Sequence, residues 1–284
     1  MKPIEQKRDN PKIGRNVTIE AGCQIADTVV IEDNVYIDYN CIIRDNVVIK
    51  EGTTIGANCI LGEYAADWYR DHSAVLEPLV IGKNSIIRSG SIIYCGSTIG
   101  DNFQTGHQVT IREKTIIGNN VSVGTLSDIQ GNCEIGSYVR MHSNVHIGQL
   151  SKVDSFTWIY PYVVLTNDPT PPSNHFVGVH VKSFAVVATG ALVMPGVEIG
   201  QDSLVAAGAI VTKDVGDYAV IVGNPGKQIS DVREIKSHFK DENVYPWRNH
   251  FENYMPWAGC GFEVWYKTIT DDEKKELNLE NIVI

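Results

Sequence analysis

Histidine and its polar neighbours are the first residues in this 284-residue chain whose types and spacing could do chemistry. His142 and His146 bracket Ser143-Asn144, Asp128 stands 18 residues before His146, and Gln149 stands 18 before Asn167. An imidazole that changes charge near neutral pH serves as a general base, an orienting partner or a metal ligand. A carboxylate beside it favours the charged form. His107 adds a third imidazole, 35 residues ahead of His142. Arg140 and Trp158, again 18 apart, are spaced for a cation–π contact. Six cysteines complete the set of reactive groups. The competing readings are a solvated histidine without a role and thiols used as small core filler.

Composition bounds what could position these groups. With 43% hydrophobic and 20% charged residues the chain is globular, and its length fits one large domain or two modest ones. A formal charge of -10 with no basic run argues against nucleic acid and anionic membrane surfaces as partners. Met1 to Pro11 is polar and no apolar stretch approaches the ~20 residues of a membrane span, so a cytoplasmic protein is expected.

The positioning elements come from a repeat. Counting by six from Ile13 to Leu61, from Ile81 to Leu165 and from Val181 to Val211 gives nine, fifteen and six positions, thirty in all. Every one is aliphatic or Met except Thr105. The residue four beyond each lead is mostly small or β-branched, as at Cys23, Ser85, Val121 and Ala191. Six is not a helical period, and Gly, Asn and β-branched residues crowd the repeat. Short strands with two-residue corners satisfy it: three make an 18-residue triangular coil, and coils stacked ~4.8 Å apart pair their backbone amides. Ten such coils are predicted. Residues 18 apart become vertical neighbours, which sets Asp128 under His146, Gln149 under Asn167, and His142 between Gly124 and Tyr160. Cys23, Cys41 and Cys59 stack on one interior ladder, with Cys133 in an equivalent slot, as free thiols rather than a disulfide or metal framework.

The repeat breaks at residues 62–80, which hold Tyr64, Trp68 and Arg70, and at residues 166–180, which hold Asn167, Asp168 and Pro169. Both breaks fall in the third hexad of a coil, so both loops leave the same edge of the prism. Loops on a rigid scaffold are where binding groups collect. A β-helix domain over residues 1–222 is therefore expected, followed by an extension over 223–284. That extension opens with the turn Gly223-Asn224-Pro225-Gly226, continues with a predicted helix from Ile229 to Lys240, and ends in an aromatic-rich segment packed on the helix end or a neighbouring subunit.

The repeat resembles the left-handed parallel β-helix of the hexapeptide-repeat acyltransferases. The segments Asn102-Phe103-Gln104-Thr105-Gly106-His107, Gly124-Thr125-Leu126-Ser127-Asp128, His142-Ser143-Asn144-Val145-His146 and Leu165-Thr166-Asn167-Asp168-Pro169 are similar to one branch. That branch comprises acetyl-CoA-dependent N-acetyltransferases of nucleotide-linked, dTDP-type 3-amino-3,6-dideoxyhexoses, which serve surface-polysaccharide (lipopolysaccharide) biosynthesis. The resemblance implies a homotrimer with acetyl-CoA in the groove between prisms and no metal. It assigns catalysis to His142 and Asn167, and substrate binding to Gln149, Asn144, Tyr160, Asp168, His107 and Arg70. It sets the CoA arm along backbone amides at Ala188, Gly190, Ala206 and Gly208, with Lys213 or Lys227 at its phosphate end. Relatives can carry an acidic residue where this chain has Gln149, so a carboxylate base at that position is excluded here. A related reading is N-acylation of a 4-amino sugar nucleotide, or use of another acyl donor. More distant are a zinc carbonic anhydrase on the same prism, using His107, His142 and His146, and a non-catalytic solenoid.

Overall fold

The computed structural model describes residues 10–282, and the polar opening segment up to residue 9 lies outside them. The third residue after almost every lead adopts positive φ, which turns the chain through a corner. Asn, which tolerates the left-handed region better than other side chains, fills that position at 16, 34, 40, 46, 58, 84, 102, 120, 132 and 144. Gly fills it at 22, 52, 90, 96, 190, 196 and 208. Corner chemistry thus follows the hexad, though less strictly than the apolar leads do.

The result is a left-handed parallel β-helix with three faces. The first runs from Lys12–Ile13 to Glu198–Ile199 and the third from Gln24–Ile25 to Ile210–Val211, ten strands each. The second begins at Thr18–Ile19 and has twelve strands. Every coil pairs in parallel with the next at a stagger of 18 residues where no loop intervenes, as at Asp128↔His146 and Arg140↔Trp158. Ten complete coils match the repeat. The second face continues past them: Ala219–Val222 adds a parallel strand, and Lys227–Asp231 folds back antiparallel on it.

That hairpin corrects the helix expected from Ile229 to Lys240. The last parallel strand offers an unpaired row of N–H and C=O groups, and pairing it outweighs the helical pattern of residues 229–240. Only the 3-10 turn Val232–Glu234 remains helical there, capped by the Asp231 side chain on the Arg233 N–H. The helices of the extension lie later, at Phe262–Thr268 and at Asp271–Glu276, the latter opened by a Thr270/Glu273 capping box.

The interior is a column of fully buried leads such as Ile31, Ile43, Leu61, Ile111 and Leu165. The one polar lead, Thr105, is satisfied in place, since its hydroxyl accepts from the Arg88 N–H at 2.8 Å. All six cysteines are free. The inward thiols point to carbonyls of the coil above: Cys23 to Asp38, Cys41 to Gly56, Cys59 to Arg88 and Cys133 to Gly148. Ser97 and Ser127 do the same with hydroxyls. Small inward residues therefore carry donors as well as filling space.

Both loops leave at the edge where the third face passes to the first, after Ile60–Glu63 and after Val164–Leu165. The C-terminal extension packs on the second face. Bulky side chains replace Asn at three stacked corners, where Tyr138, Phe156 and Phe184 all have positive φ. Their rings stack at 4.9 and 5.1 Å and enter a second core with Trp247, Trp257 and Phe262. Arg248 lies buried beneath this cluster, ion-paired with the fully buried Asp202. Among the described residues no helix is long and apolar enough to cross a membrane.

Replacing one partner of a buried ion pair strands the other. Arg248→Leu is expected to cost about 3–5 kcal/mol in denaturant unfolding and to expose the extension to limited proteolysis. Asp202→Asn combined with Arg248→Leu is expected to recover part of that loss.

Candidate functional site

The edge between the second and third faces stacks one corner per coil. From the fifth coil upward these are Gly106-His107-Gln108, Gly124-Thr125-Leu126, His142-Ser143-Asn144, Tyr160-Pro161-Tyr162, Ala188-Thr189-Gly190 and Ala206-Ala207-Gly208. Ladder bonds hold the stack, among them Asn144 N–H to Thr125 at 2.9 Å and Gly208 N–H to Thr189 at 2.9 Å. Gly124 is required beneath His142, because a Cβ there would lie 2.4 Å from the His142 carbonyl carbon.

The His142 ring stacks on Tyr160 with centroids 4.6 Å apart and planes 15° from parallel. Neither ring nitrogen has a hydrogen-bond partner among the described residues. Burial under Tyr160 and Trp158 holds its pKa below the ordinary imidazole value, so His142 is neutral at neutral pH. It borders a cleft of about 720 Å³. The cleft floor is the second-face ladder Gln104, Ser122, Arg140 and Trp158, and Tyr254 of the extension forms one wall. The expected cation–π contact is not formed: the Arg140 guanidinium turns to the carbonyls of Asn120 and Tyr254 instead.

His146 meets Asp128 at 3.2 Å, as the 18-residue spacing predicts. Burial pushes the Asp128 carboxyl up, but hydrogen bonds from His146 and Gln130 outweigh it and bring the pKa below the usual carboxylate range. The pair lies on the outward side of the third face, away from the cleft lining. Among the described residues no group of three or more His, Cys, Asp or Glu is arranged to hold a metal ion.

The other predicted site residues divide between edges. Asn144 and His107 share the edge of His142, with His107 two coils lower, about 10 Å away. Gln149, Asn167 and Asp168 occupy the opposite edge of the third face, at the root of the second loop. Asp168 organises that loop, accepting from Ser173 Oγ at 2.7 Å, Ser173 N–H at 3.0 Å and Thr170 N–H at 3.1 Å. These bonds hold its pKa low. Arg70 is exposed in the first loop, 3.5 Å from Asp67 and about 19 Å below the His142 coil. Within one chain, His142 and Asn167 do not meet.

Two coils above His142 the corners become small. No atom lies within 4 Å of where a Cβ would stand on Gly190 or Gly208, so the edge opens into a shelf. The N–H groups of Ala188, Gly190, Ala206 and Gly208 are all spent on ladder bonds, at 2.8, 2.9, 2.8 and 2.9 Å. Donors without an acceptor among the described residues include the middle corner residues Thr189 and Ala207, together with Ser143 beside His142 and Thr125 below it. A readable signal exists for this. In several coils the middle N–H is capped by a side chain one coil up, as in Lys83 to Asp101, Asn119 to Ser137 and His107 to Thr125. Above Ser143, Thr189 and Ala207 stand Pro161, Ala207 and Gly223, none of which carries an acceptor. Lys227 lies at the top of this edge, beside the 223–226 turn, and Lys213 follows the last third-face strand on the other side.

Residues 10–45 and 114–149 match the family described as bacterial transferase hexapeptide (six repeats). The chain is similar to a chloramphenicol acetyltransferase from Klebsiella aerogenes, 40% identical over 58 residues, 20% of this chain and 25% of that protein. It is also similar to a 2,3,4,5-tetrahydropyridine-2,6-dicarboxylate N-acetyltransferase from Staphylococcus aureus, 36% identical over 78 residues, 28% of this chain and 32% of that protein. The chain thus spans a quarter to a third of the length of these relatives. Among solved structures, a UDP-N-acetylglucosamine acyltransferase from Bacteroides fragilis shares the fold, with a TM-score of 0.50 and 18% identity over 94% of this chain and 91% of that one.

Titration of His142 checks the burial argument. Its ring proton resonances are expected to shift with a midpoint below ~6.5. Tyr160→Ala, which removes the covering ring, is expected to move that midpoint upward.

Proposed function

We propose that the protein is an acetyl-CoA-dependent N-acetyltransferase acting on the amine of a nucleotide-linked 3-amino-3,6-dideoxyhexose, with a dTDP-type nucleotide. The observation that carries this reading is the edge just described: a neutral, unpartnered imidazole beside a cleft, continued upward by a shelf with unsatisfied N–H donors. The shelf fits an extended pantetheine arm, because Thr189 and Ala207 offer amide donors where no side chain intrudes. Lys227 stands where the phosphate end would emerge.

Acetyl-CoA supplies an activated acyl group, and the chain's own residues must align the acceptor with it. Alignment alone contributes on the order of 7–11 kcal/mol to such reactions. An N–H of the corner row, with Ser143 nearest to His142, would stabilise the oxyanion, a contribution of about 3 kcal/mol. A neutral His142 can accept a hydrogen bond from the sugar amine and keep it unprotonated. No carboxylate holds its second nitrogen, so His142 orients the amine more than it deprotonates it.

The separation of His142 from Gln149, Asn167 and Asp168 supports a homotrimer with sites between subunits. A neighbour whose loop edge lies against this His142 edge would supply the missing groups. The third face carries outward Ile42, Ile60 and Ile92 below and Val164, Leu192 and Ile210 above, two half-buried apolar patches separated by Thr110, Asp128 and His146 and suited to packing between prisms.

The test is mass spectrometry of products from acetyl-CoA and a panel of nucleotide-linked amino sugars, and acetylation of none of them would reject the reading. His142→Asn is expected to lower kcat about 10- to 100-fold. A loss above about a thousandfold with KM unchanged would instead make His142 the essential base. Since the neutral form is required and its pKa is depressed, kcat should fall only below ~6.5 and be flat above it.

A further inference from the structure

We infer that Arg140 is the anion-binding group of the acceptor site and takes the diphosphate of the nucleotide-linked substrate. The inference rests on the acyltransferase reading above and names the part of the acceptor that the cleft holds. Arg140 sits on the second face between Ser122 below and Trp158 above, both uncharged. Its guanidinium is half-buried in the cleft wall and donates only to neutral carbonyls, those of Asn120 and, at 3.4 Å, Tyr254. No carboxylate pairs with it among the described residues. Arg15, Arg44, Arg70, Arg112, Arg233 and Arg248, by contrast, each meet one, and Arg88, which does not, stands exposed outside the cleft lining.

A chain of net charge -10 has no shortage of carboxylates, so leaving this cation uncompensated in a cleft of about 720 Å³ is informative. A desolvated guanidinium whose Nε and remaining N–H hydrogens are uncommitted suits the planar, bidentate recognition of phosphate oxygens. The position along the strand fits as well. Arg140 and His142 are two residues apart, about 6.7 Å by strand rise, which approximates the width of one pyranose ring. A diphosphate at Arg140 would thereby direct the amine across the ring towards the imidazole. The phosphates of CoA present the same chemistry, but the shelf that fits its arm rises away from Arg140, from the ninth coil upward.

Calorimetric titration with inorganic pyrophosphate at low salt tests the group directly. The wild-type protein should bind it, and Arg140→Gln should weaken binding at least about tenfold. Arg140→Lys should retain part of the affinity. Ser122→Asp should abolish it while keeping Arg140 in place, because it sets a carboxylate on the in-register neighbour. Circular dichroism melting of each variant separates loss of binding from loss of fold. In steady-state kinetics, Arg140→Gln should raise KM for the nucleotide-linked acceptor about tenfold or more and leave KM for acetyl-CoA within about twofold. Absence of pyrophosphate binding by the wild type, equal binding by Arg140→Gln, or a rise in KM for acetyl-CoA instead would overturn the assignment. A protein that binds pyrophosphate through Arg140 and acetylates nothing would sink the acyltransferase reading alone.

Discussion

One backbone conformation recurs at the corners of this molecule: a residue with positive φ three places after the apolar lead. It converts strands two to four residues long, unstable alone, into thirty stacked pieces that pair only through the coils above and below. Asn supplies that conformation at ten of the corners, and the exceptions are informative. Tyr138, Phe156 and Phe184 adopt it against a steric cost of about 1–2 kcal/mol each. Their rings are repaid by packing, since they form the seat for the C-terminal extension. Strain at one edge and the docking of residues 245–282 are thus a single arrangement.

The same geometry accounts for the electrostatics of the site. On a surface rich in carboxylates, most lysines and arginines are already paired, and two of the eight imidazoles meet acidic partners. His146 has Asp128, and His180 has Asp154 at 2.9 Å. His142 has none, because it stands between Gly124 and an aromatic ring. Its neutrality comes from burial without a counter-charge, which suits a group that must accept a proton or hydrogen bond from an amine.

Much of this was legible from residue spacing. The period of six gives the coils, their vertical contacts and the shared edge of the two loops, because register in a solenoid is arithmetic. The Asp128–His146 pair follows from a difference of eighteen. Where chain direction is not periodic, spacing fails. Residues 229–240 read as a helix, yet residues 229–231 complete a hairpin strand, since the unpaired strand end beneath them is a tertiary fact. Arg140 was read through its vertical neighbour Trp158, whereas its guanidinium turns sideways to carbonyls, one of them on Tyr254, 114 residues away. The N–H groups of Ala188, Gly190, Ala206 and Gly208 are spent on the ladder, and the free donors of that edge stand at the middle corner positions, where only the side chain one coil up can cap them.

Three corners per coil also give the molecule something like a reading frame. Removing six residues below His107 would turn the first coils by one face and leave the row from His107 to Ala207 aligned. Removing the same six between His142 and Thr189 would carry the shelf to another edge and separate it from the imidazole. Only whole coils of eighteen can be gained or lost there without such a rotation. The two long loops escape the rule because each leaves and rejoins the prism at one corner. Variation in length is therefore channelled to that edge, where new side chains can be added without disturbing the alignment of anything above them.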